Sequence, residues 1–222
     1  MGLAFDRQRW MVTAGPTYEP LDPIRFIGNF SSGKMGYALA EALHQAGATV
    51  VLISGPTCLP DPIGLIVERI TTAEEMLSRC QHHFPHVDGV IMAAAVADFR
   101  PREFSIHKIK KQPGSQRMLI ELSPNPDILQ MLSDMRCPHQ RIIGFSLETD
   151  HGPTYAMEKL RRKGLDAIVL NHPSRGGGIG ADDNEVTIFD RRGTPYYFSR
   201  RPKPLLAQAI VEWIKTHLVS SG

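Results

Sequence analysis

The segment richest in small and polar residues is Gly28–Gly36, which reads Gly-Asn-Phe-Ser-Ser-Gly-Lys-Met-Gly. Small residues before a helix leave backbone N–H groups free for an anion, and Ser31, Ser32 and Lys34 add donors. The pattern nearly matches a P-loop, but Met35 replaces the hydroxyl that binds magnesium and no strand directly precedes the loop. The residues therefore predict an anion site that is not an ordinary P-loop, and a plain serine N-cap is the alternative.

Two further segments could contact an anionic ligand. Ala93-Ala94-Ala95 ends an apolar run, where small side chains let a flat ligand approach the backbone, and Asp98 could accept a hydrogen bond or hold a metal. The alternative is close packing of a strand and a helix. Lys108-Ile109-Lys110-Lys111 lies in a long segment without periodicity, and a flexible lysine there can close over phosphates. A solvated surface is the ordinary role of such a run.

Lysines also follow helical spacing later in the chain, where Lys159 and Lys163 share one helix face. Tyr155 and Lys159 have the Tyr-x-x-x-Lys spacing of short-chain nicotinamide-dependent reductases, but the glycine fingerprint of dinucleotide sites is absent after the first strand. The sequence shows no Ser–His–Asp order, no paired catalytic carboxylates and no nucleophilic cysteine. These residues indicate binding of an anionic, nucleotide-like ligand and a reaction driven by positioning and charge stabilisation.

Alternating strands and helices must position these residues. The fold class predicted is α/β, a doubly wound, mostly parallel Rossmann-like sheet with helices on both faces and a late antiparallel β-hairpin. Ligands of such sheets bind beyond the carboxyl ends of the strands. Asn125 is predicted to cap a helix that has Pro126 at its first position. Strands are predicted at 10–15, 49–54, 89–96, 141–145 and 166–170, helices at 32–46, 72–84, 155–163 and 205–218, and the hairpin at 185–198.

Composition bounds the class of protein. The chain has 222 residues, with 25 basic and 23 acidic side chains, and this near-neutral balance predicts neither a nucleic-acid binder nor a membrane binder. No apolar run is long enough for a membrane helix, and the polar start is unlike a signal peptide. Three cysteines, an odd number, predict no disulfide framework. We expect one domain over residues 1–222 and a cytoplasmic location.

The ordered set of motifs resembles phosphopantothenate–cysteine ligases, which are also called phosphopantothenoylcysteine synthetases. The resemblance spans nearly the whole chain, and its specificity comes from the order of motifs that are modest singly. It is carried by Thr13-Ala14-Gly15-Pro16-Thr17 with Glu19, Asp22-Pro23-Ile24-Arg25-Phe26-Ile27, Gly28–Gly36, Ala94-Ala95-Val96-Ala97-Asp98, Lys108-Ile109-Lys110-Lys111, Asn125-Pro126-Asp127-Ile128, Gly144-Phe145, Glu148-Thr149 and Asp182-Asp183-Asn184.

The resemblance implies a reaction in coenzyme A biosynthesis. The bacterial, CTP-dependent members join 4′-phosphopantothenate to L-cysteine through an acyl-cytidylate, releasing pyrophosphate and then CMP, with Mg²⁺ accompanying the nucleotide. The resemblance also implies a homodimer in which the late β segment extends or covers the sheet. No FMN site is expected, whether the chain is a stand-alone ligase or one domain of a longer protein. ATP in place of CTP, and a non-catalytic nucleotide-binding regulator, are the alternatives.

The resemblance further implies roles for individual residues. Asn29 matches an asparagine that stabilises the acyl-cytidylate, and Lys108 matches a lysine on a mobile loop that meets the triphosphate. Ser-Leu at Ser146 and Leu147, and His172 after Asn171, depart from many members. Metal ligands are not assigned. The implied nucleotide contacts are Met92, Ala93, Ala94, Asp98, Lys108, Pro126, Asp127, Ile128, Leu129, Phe145, Lys159 and Lys163, and the implied substrate contacts are Arg25, Asn29, Ser31, Ser32 and Gly33.

Overall fold

An eight-stranded sheet runs through the centre of the molecule. Two separate two-stranded hairpins lie outside this sheet. The structure is a computed structural model that describes residues 5–111, 117–172 and 180–219. The strands are β1 (Arg9–Ala14), β2 (Tyr18–Pro20), β3 (Phe26–Gly28), β4 (Thr49–Ser54), β5 (Ile66–Arg69), β6 (Gly89–Met92), β7 (Phe99–Pro101), β8 (Leu122–Pro124), β9 (Arg141–Leu147), β10 (Ala167–Asn171), β11 (Asp183–Asp190) and β12 (Pro195–Pro202). The helices are α1 (Lys34–Gln45), α2 (Ala73–His83), α3 (Ile128–Met135), α4 (Gly152–Arg162) and α5 (Lys203–Ile214), with a 3₁₀ turn at Phe84–His86 and a π turn at Lys215–Val219.

The strand order of the large sheet is β12-β11-β10-β9-β6-β1-β4-β5. Strands β5 to β10 in this order are parallel to one another, and β11 and β12 are antiparallel. The chain moves outward from β1 through β4 to β5, and then returns to the other side of β1 with β6. This reversal creates a crevice beyond the carboxyl ends of β1 and β6, where ligands of such sheets bind. The predicted α/β class, with its late hairpin, is confirmed.

Helices cover both faces of the sheet. Trp10 and Val12 of β1 point into the cluster formed with α1 and α5. Met11 between them points into the opposite cluster, formed with α2, α3 and α4. Burial on both faces explains why the central strands are continuously apolar rather than alternating. No helix in the described ranges is both long and apolar enough to cross a membrane.

Local signals were confirmed at some element ends and wrong at others. Thr72 caps α2 in the predicted capping box, since its side chain accepts a bond from the Glu75 N–H. The predicted N-cap Asn125 is wrong, because Asp127 caps α3 and accepts from the Gln130 N–H. The Asn125 amide donates instead to the Ala97 carbonyl oxygen at 2.8 Å. Strand β5 and the β2–β3 and β7–β8 hairpins were not predicted, because none has an apolar periodicity.

Candidate active site

A cleft of about 640 Å³ opens at the carboxyl ends of the parallel strands, as the fold predicts. One wall is the loop that enters α1, and the other is formed by the segments that follow β6 and β8. The floor comes from the ends of β9 and β10. The residues lining the cleft include Asn29–Gly36, Met92–Asp98, Asn125–Leu129, Phe145–Glu148, Lys159, Lys163, Asn171, Gly180, Asn184 and Lys203.

The loop before α1 places backbone N–H groups at the cleft. Gly33 is the N-cap of α1, with a φ of 76°, and no side chain caps the helix. The serine N-cap alternative is therefore wrong. A Cβ on Gly36 would lie 2.5 Å from that of Ala14, so glycine lets α1 pack closely on β1. The uncapped N-terminus of α1 carries partial positive charge toward the cleft, which favours an anion there.

Asn29 links the two walls. Its side-chain amide donates to the carbonyl oxygen of Ala95 at 2.9 Å across the cleft. The Ala95 segment is fixed from β1, since Thr13 Oγ1 accepts from the Ala94 N–H at 3.2 Å. Thr17 Oγ1 accepts from the Ala97 N–H at 2.9 Å. The Asn29 amide is thus held by a rigid backbone while its other polar atoms remain available to a ligand.

Lysines from α4 and its end form the basic part of the cleft. Lys163 is 8% exposed and contacts both carboxylate oxygens of Asp127 at 2.7 Å. Burial raises the pKa of Asp127, but the bonds from Lys163 and the Gln130 N–H outweigh it and hold the pKa below its usual value. Lys159 Nζ donates to the Phe145 carbonyl oxygen at 2.8 Å. Burial, and then the charge of Lys163, lower the pKa of Lys159.

Sequence reasoning missed several residues at the other end of the cleft. Asn171 and Asn184 each bury a side-chain oxygen that finds no hydrogen-bond partner among the described residues. Lys34, which the sequence offered as a donor for the anion, pairs with Asp182 at 2.6 Å, and Lys203, which was missed, donates to the Ala181 carbonyl oxygen. The Asp-Asp-Asn motif contained Asn184 without indicating a role. Nothing in the sequence around Lys203 distinguishes it from a surface lysine.

The structure places most residues of the predicted site along this one cleft. Of the residues assigned to the site, Arg25 and Lys108 do not line it, and neither does Tyr155 of the reductase alternative. Arg25 pairs with Asp22, Lys108 is exposed, and Tyr155 is 47% exposed on α4. The separation of Tyr155 from the cleft disfavours the reductase alternative. Those that line it are Asn29, Ser31, Ser32, Gly33, Met92, Ala93, Ala94, Asp98, Pro126, Asp127, Ile128, Leu129, Phe145, Lys159 and Lys163.

Carboxylates are sparse at the cleft. Asp98 is exposed at one wall, and Glu148 accepts a bond from Ser146 Oγ at 2.6 Å. Within the described residues, no three His, Cys, Asp or Glu side chains lie close enough together to hold a metal ion. This donor set suits Mg²⁺, which commonly binds one or two carboxylates together with substrate phosphates.

We expect Lys159→Met to separate ligand binding from stability. Lys159 is a partly desolvated cation beside a second cation, so removing its charge relieves an unfavourable interaction in the free protein. The melting temperature should stay the same or rise. The resemblance implies that Lys159 contacts a nucleotide, so nucleotide affinity should fall by about tenfold or more with loss of that charge-assisted bond. Calorimetric titration and thermal unfolding measure the two effects, and a lowered melting temperature would contradict this assignment.

Known proteins resemble the chain over nearly all of its length. Residues 5–218 match the family described as the DNA/pantothenate metabolism flavoprotein C-terminal domain. The coenzyme A biosynthesis bifunctional protein CoaBC of Bacillus subtilis strain 168 is 43% identical over 205 residues, covering 91% of this chain and 48% of that protein. A protein named cysteine/cysteine sulfinic acid decarboxylase, from an unknown prokaryotic organism, is 43% identical over 211 residues. The match covers 94% of this chain and 58% of that protein.

A solved structure extends the likeness to the fold. The crystal structure of the C-terminal domain of CoaBC superimposes with a TM-score of 0.83 at 37% identity, covering 99% of this chain and 100% of that one. The chain spans about half the length of the curated relatives that it matches. The chain belongs to the DNA/pantothenate metabolism flavoprotein C-terminal domain family, which confirms the resemblance predicted from its motifs.

Proposed function

We propose that this chain is a phosphopantothenate–cysteine ligase of coenzyme A biosynthesis, using CTP as its nucleotide. One observation carries the proposal. The amide of Asn29 donates to the Ala95 carbonyl oxygen at 2.9 Å, and the uncapped N-terminus of α1 lines the same cleft as the Ala93–Ala97 segment. Membership of the family and the likeness to CoaBC proteins supply the substrate class.

The first step joins the carboxylate of 4′-phosphopantothenate to the α-phosphorus of CTP. The carboxylate oxygen forms the new O–P bond while the bond to the β-phosphate oxygen breaks, and pyrophosphate leaves with its electron pair. Negative charge crowds around the reacting phosphorus, so the N-terminus of α1 and the lysines lower the barrier electrostatically. Asn29 suits the anhydride because an amide donates a hydrogen bond without adding charge to it.

The second step forms the amide. The amine of cysteine attacks the activated carbonyl carbon, CMP leaves with the electrons of the C–O bond, and the amine gives up a proton. The chain has only to hold the two reactants in line, which agrees with the lack of a covalent nucleophile in its motifs. Lys108 is proposed to contact the triphosphate from its exposed segment, and Asp127 and Lys163 to contact the nucleoside.

Mg²⁺ is proposed to accompany the nucleotide, with Asp98 as the side chain that would reach it. When bound to phosphates, Mg²⁺ neutralises charge that develops on the leaving pyrophosphate. The residues of this chain position the α-phosphorus and the carboxylate. We propose that the reaction needs no FMN, because neither step transfers electrons.

Product formation tests the function and the nucleotide together. The chain would be incubated with 4′-phosphopantothenate, L-cysteine and Mg²⁺, with CTP or ATP, and products identified by mass spectrometry. Formation of 4′-phosphopantothenoylcysteine and CMP with CTP supports the proposal. Product with ATP alone would keep the ligase and overturn the choice of CTP. Nucleotide binding with no product in either mixture would favour the regulator.

We also propose a homodimer. The resemblance suggested the late β segment as the contact, but large exposed apolar side chains lie on the two small hairpins. Phe26 is 52% exposed on β3, Phe99 is 50% exposed on β7, and Leu119 before β8 is 95% exposed. A second copy that covers these side chains would remove their apolar area from water. Light scattering should give twice the chain mass for the native protein and a lower mass for Leu119→Asp, and a native monomer would overturn this proposal.

A further inference from the structure

The turn between β2 and β3 is built around a buried carboxylate. Asp22 is 2% exposed, and its Oδ1 accepts from the backbone N–H groups of Ile24 and Arg25, both at 2.9 Å. Its Oδ2 accepts from Arg25 Nε at 3.1 Å and Nη2 at 2.6 Å. The Arg25 guanidinium holds the pKa of Asp22 well below its usual range, so this pair is ionised across neutral pH.

The same pair binds a distant segment through its backbone. The Ile109 N–H donates to Asp22 Oδ2 at 3.1 Å, and the Ile109 carbonyl oxygen accepts from Arg25 Nη2 at 2.9 Å. Both polar backbone groups of one residue are thus held by one ion pair. Upstream, the Ser105 N–H donates to the Leu21 carbonyl oxygen at 3.1 Å. Lys108 therefore lies between two positions that are tied to the Leu21–Arg25 turn.

Apolar packing does little to hold this segment. Phe104 is 53% exposed and Ile106 is 72% exposed. The burial of side chains that fixes most loops is consequently weak here, and the polar bonds to the turn must set the position of the backbone. Exposed ion pairs usually add little stability, but here two nitrogens of Arg25 donate to one oxygen of a buried carboxylate, and such charge-assisted bonds are strong enough to fix structure.

We propose that Asp22 and Arg25 are positioning residues that clamp Ile109 and so set where Lys108 stands relative to the cleft. This inference rests on the proposed function, in which Lys108 contacts the triphosphate. It gives Arg25 a different role from the one the resemblance implied, since Arg25 acts through the segment rather than through contact with phosphopantothenate. The geometry accounts for why aspartate and arginine stand three residues apart in this turn.

Kinetics and hydrogen exchange together test the clamp. Arg25→Ala and Asp22→Asn would each be measured for pyrophosphate release and for amide exchange over residues 105–111. We expect exchange in this segment to quicken by about tenfold or more in both variants. We expect kcat to fall by about tenfold, with the KM for phosphopantothenate changed by less than about twofold. Adding either change to Lys108→Ala should cause little further loss, because the effects act on one element.

A matched control separates the clamp from general loosening. Glu121→Gln breaks an exposed ion pair with Arg102 on the neighbouring β7–β8 hairpin and should leave exchange at 105–111 unchanged. Unchanged exchange in Arg25→Ala and Asp22→Asn would overturn the proposal. A raised KM with unchanged kcat in Arg25→Ala would also overturn it, in favour of direct substrate contact, as would full activity in Lys108→Ala. Native protein that releases no pyrophosphate would refute the proposed function, while the exchange result would still report on the clamp.

Discussion

Replacing Asn29 with aspartate is expected to stop amide formation while leaving the fold intact. Asn29 is exposed, so no core packing depends on it, but its amide donates the 2.9 Å bond to Ala95 that spans the cleft. A carboxylate cannot donate that bond, and it places a negative charge where the proposed reaction brings phosphate and carboxylate together. Loss of one such donor typically costs about 10²–10³ in rate, and the added charge should make the loss at least that large.

The measurement is the rate of product formation at saturating substrates, with circular dichroism to check the fold. Gln45→Glu makes the same amide-to-carboxylate change at an exposed position at the far end of α1 and should keep native activity. If Asn29→Asp retained rates close to the native value, Asn29 would have no role at the reacting atoms. If both variants lost activity, the effect would come from the charge of the chain as a whole.

The second large effect is expected at the pair of Asp127 and Lys163, and it should be asymmetric. Lys163 has 9% of its side chain exposed, while Asp127 has 52%. Asp127→Asn leaves the buried ammonium of Lys163 without its counter-charge and should lower the free energy of unfolding by about 1–2 kcal/mol. Breaking a fully buried ion pair would cost more, but the carboxylate here is half-exposed. Asp127→Ala also removes the N-cap of α3, which adds about 1 kcal/mol. Lys163→Met leaves a carboxylate that water can reach, and should cost below about 1 kcal/mol.

Urea unfolding of the three variants measures this order, and pH gives an independent check. Because the folded pKa of Asp127 lies below its unfolded value, its contribution is present above the unfolded pKa and is lost as the pH falls through the folded one. The difference in the free energy of unfolding between the native and Asp127→Asn chains should therefore become smaller as the pH falls. A larger loss for Lys163→Met than for Asp127→Ala would show that the structure misassigns which partner is buried. All three variants should weaken nucleotide binding.

The elements that were predicted from sequence are those whose own residues carry the signal. The strand β1 is a run of apolar residues, and α2 begins at a capping box formed by Thr72 and Glu75, which are three residues apart. The position of the cleft followed from the alternation of strands and helices, because that alternation decides where the carboxyl ends meet. These features depend on local patterns and need no knowledge of distant contacts.

The features that were missed depend on distant partners. Asn125 and Asp127 are equally good N-cap residues by type. Asn125 does not cap the helix because its side chain bonds Ala97 and Arg100 instead. Glu19, 2% exposed, accepts from the Ala73 N–H at 2.9 Å and so supports α2 from a hairpin that has no periodicity. Arg25 bonds the backbone of Ile109, which lies far along the chain. The sequence around Ile109 predicts only a basic loop.

The central claim is that the carboxylate is activated by transfer of the nucleotide's α-phosphoryl group. The most direct measurement uses 4′-phosphopantothenate with ¹⁸O in its carboxylate, together with CTP, Mg²⁺ and cysteine. We expect one labelled oxygen to pass to the phosphate of CMP and the other to stay in the amide product. Label in inorganic phosphate, with CDP as the nucleotide product, would show activation as an acyl phosphate and would rule out an acyl-cytidylate.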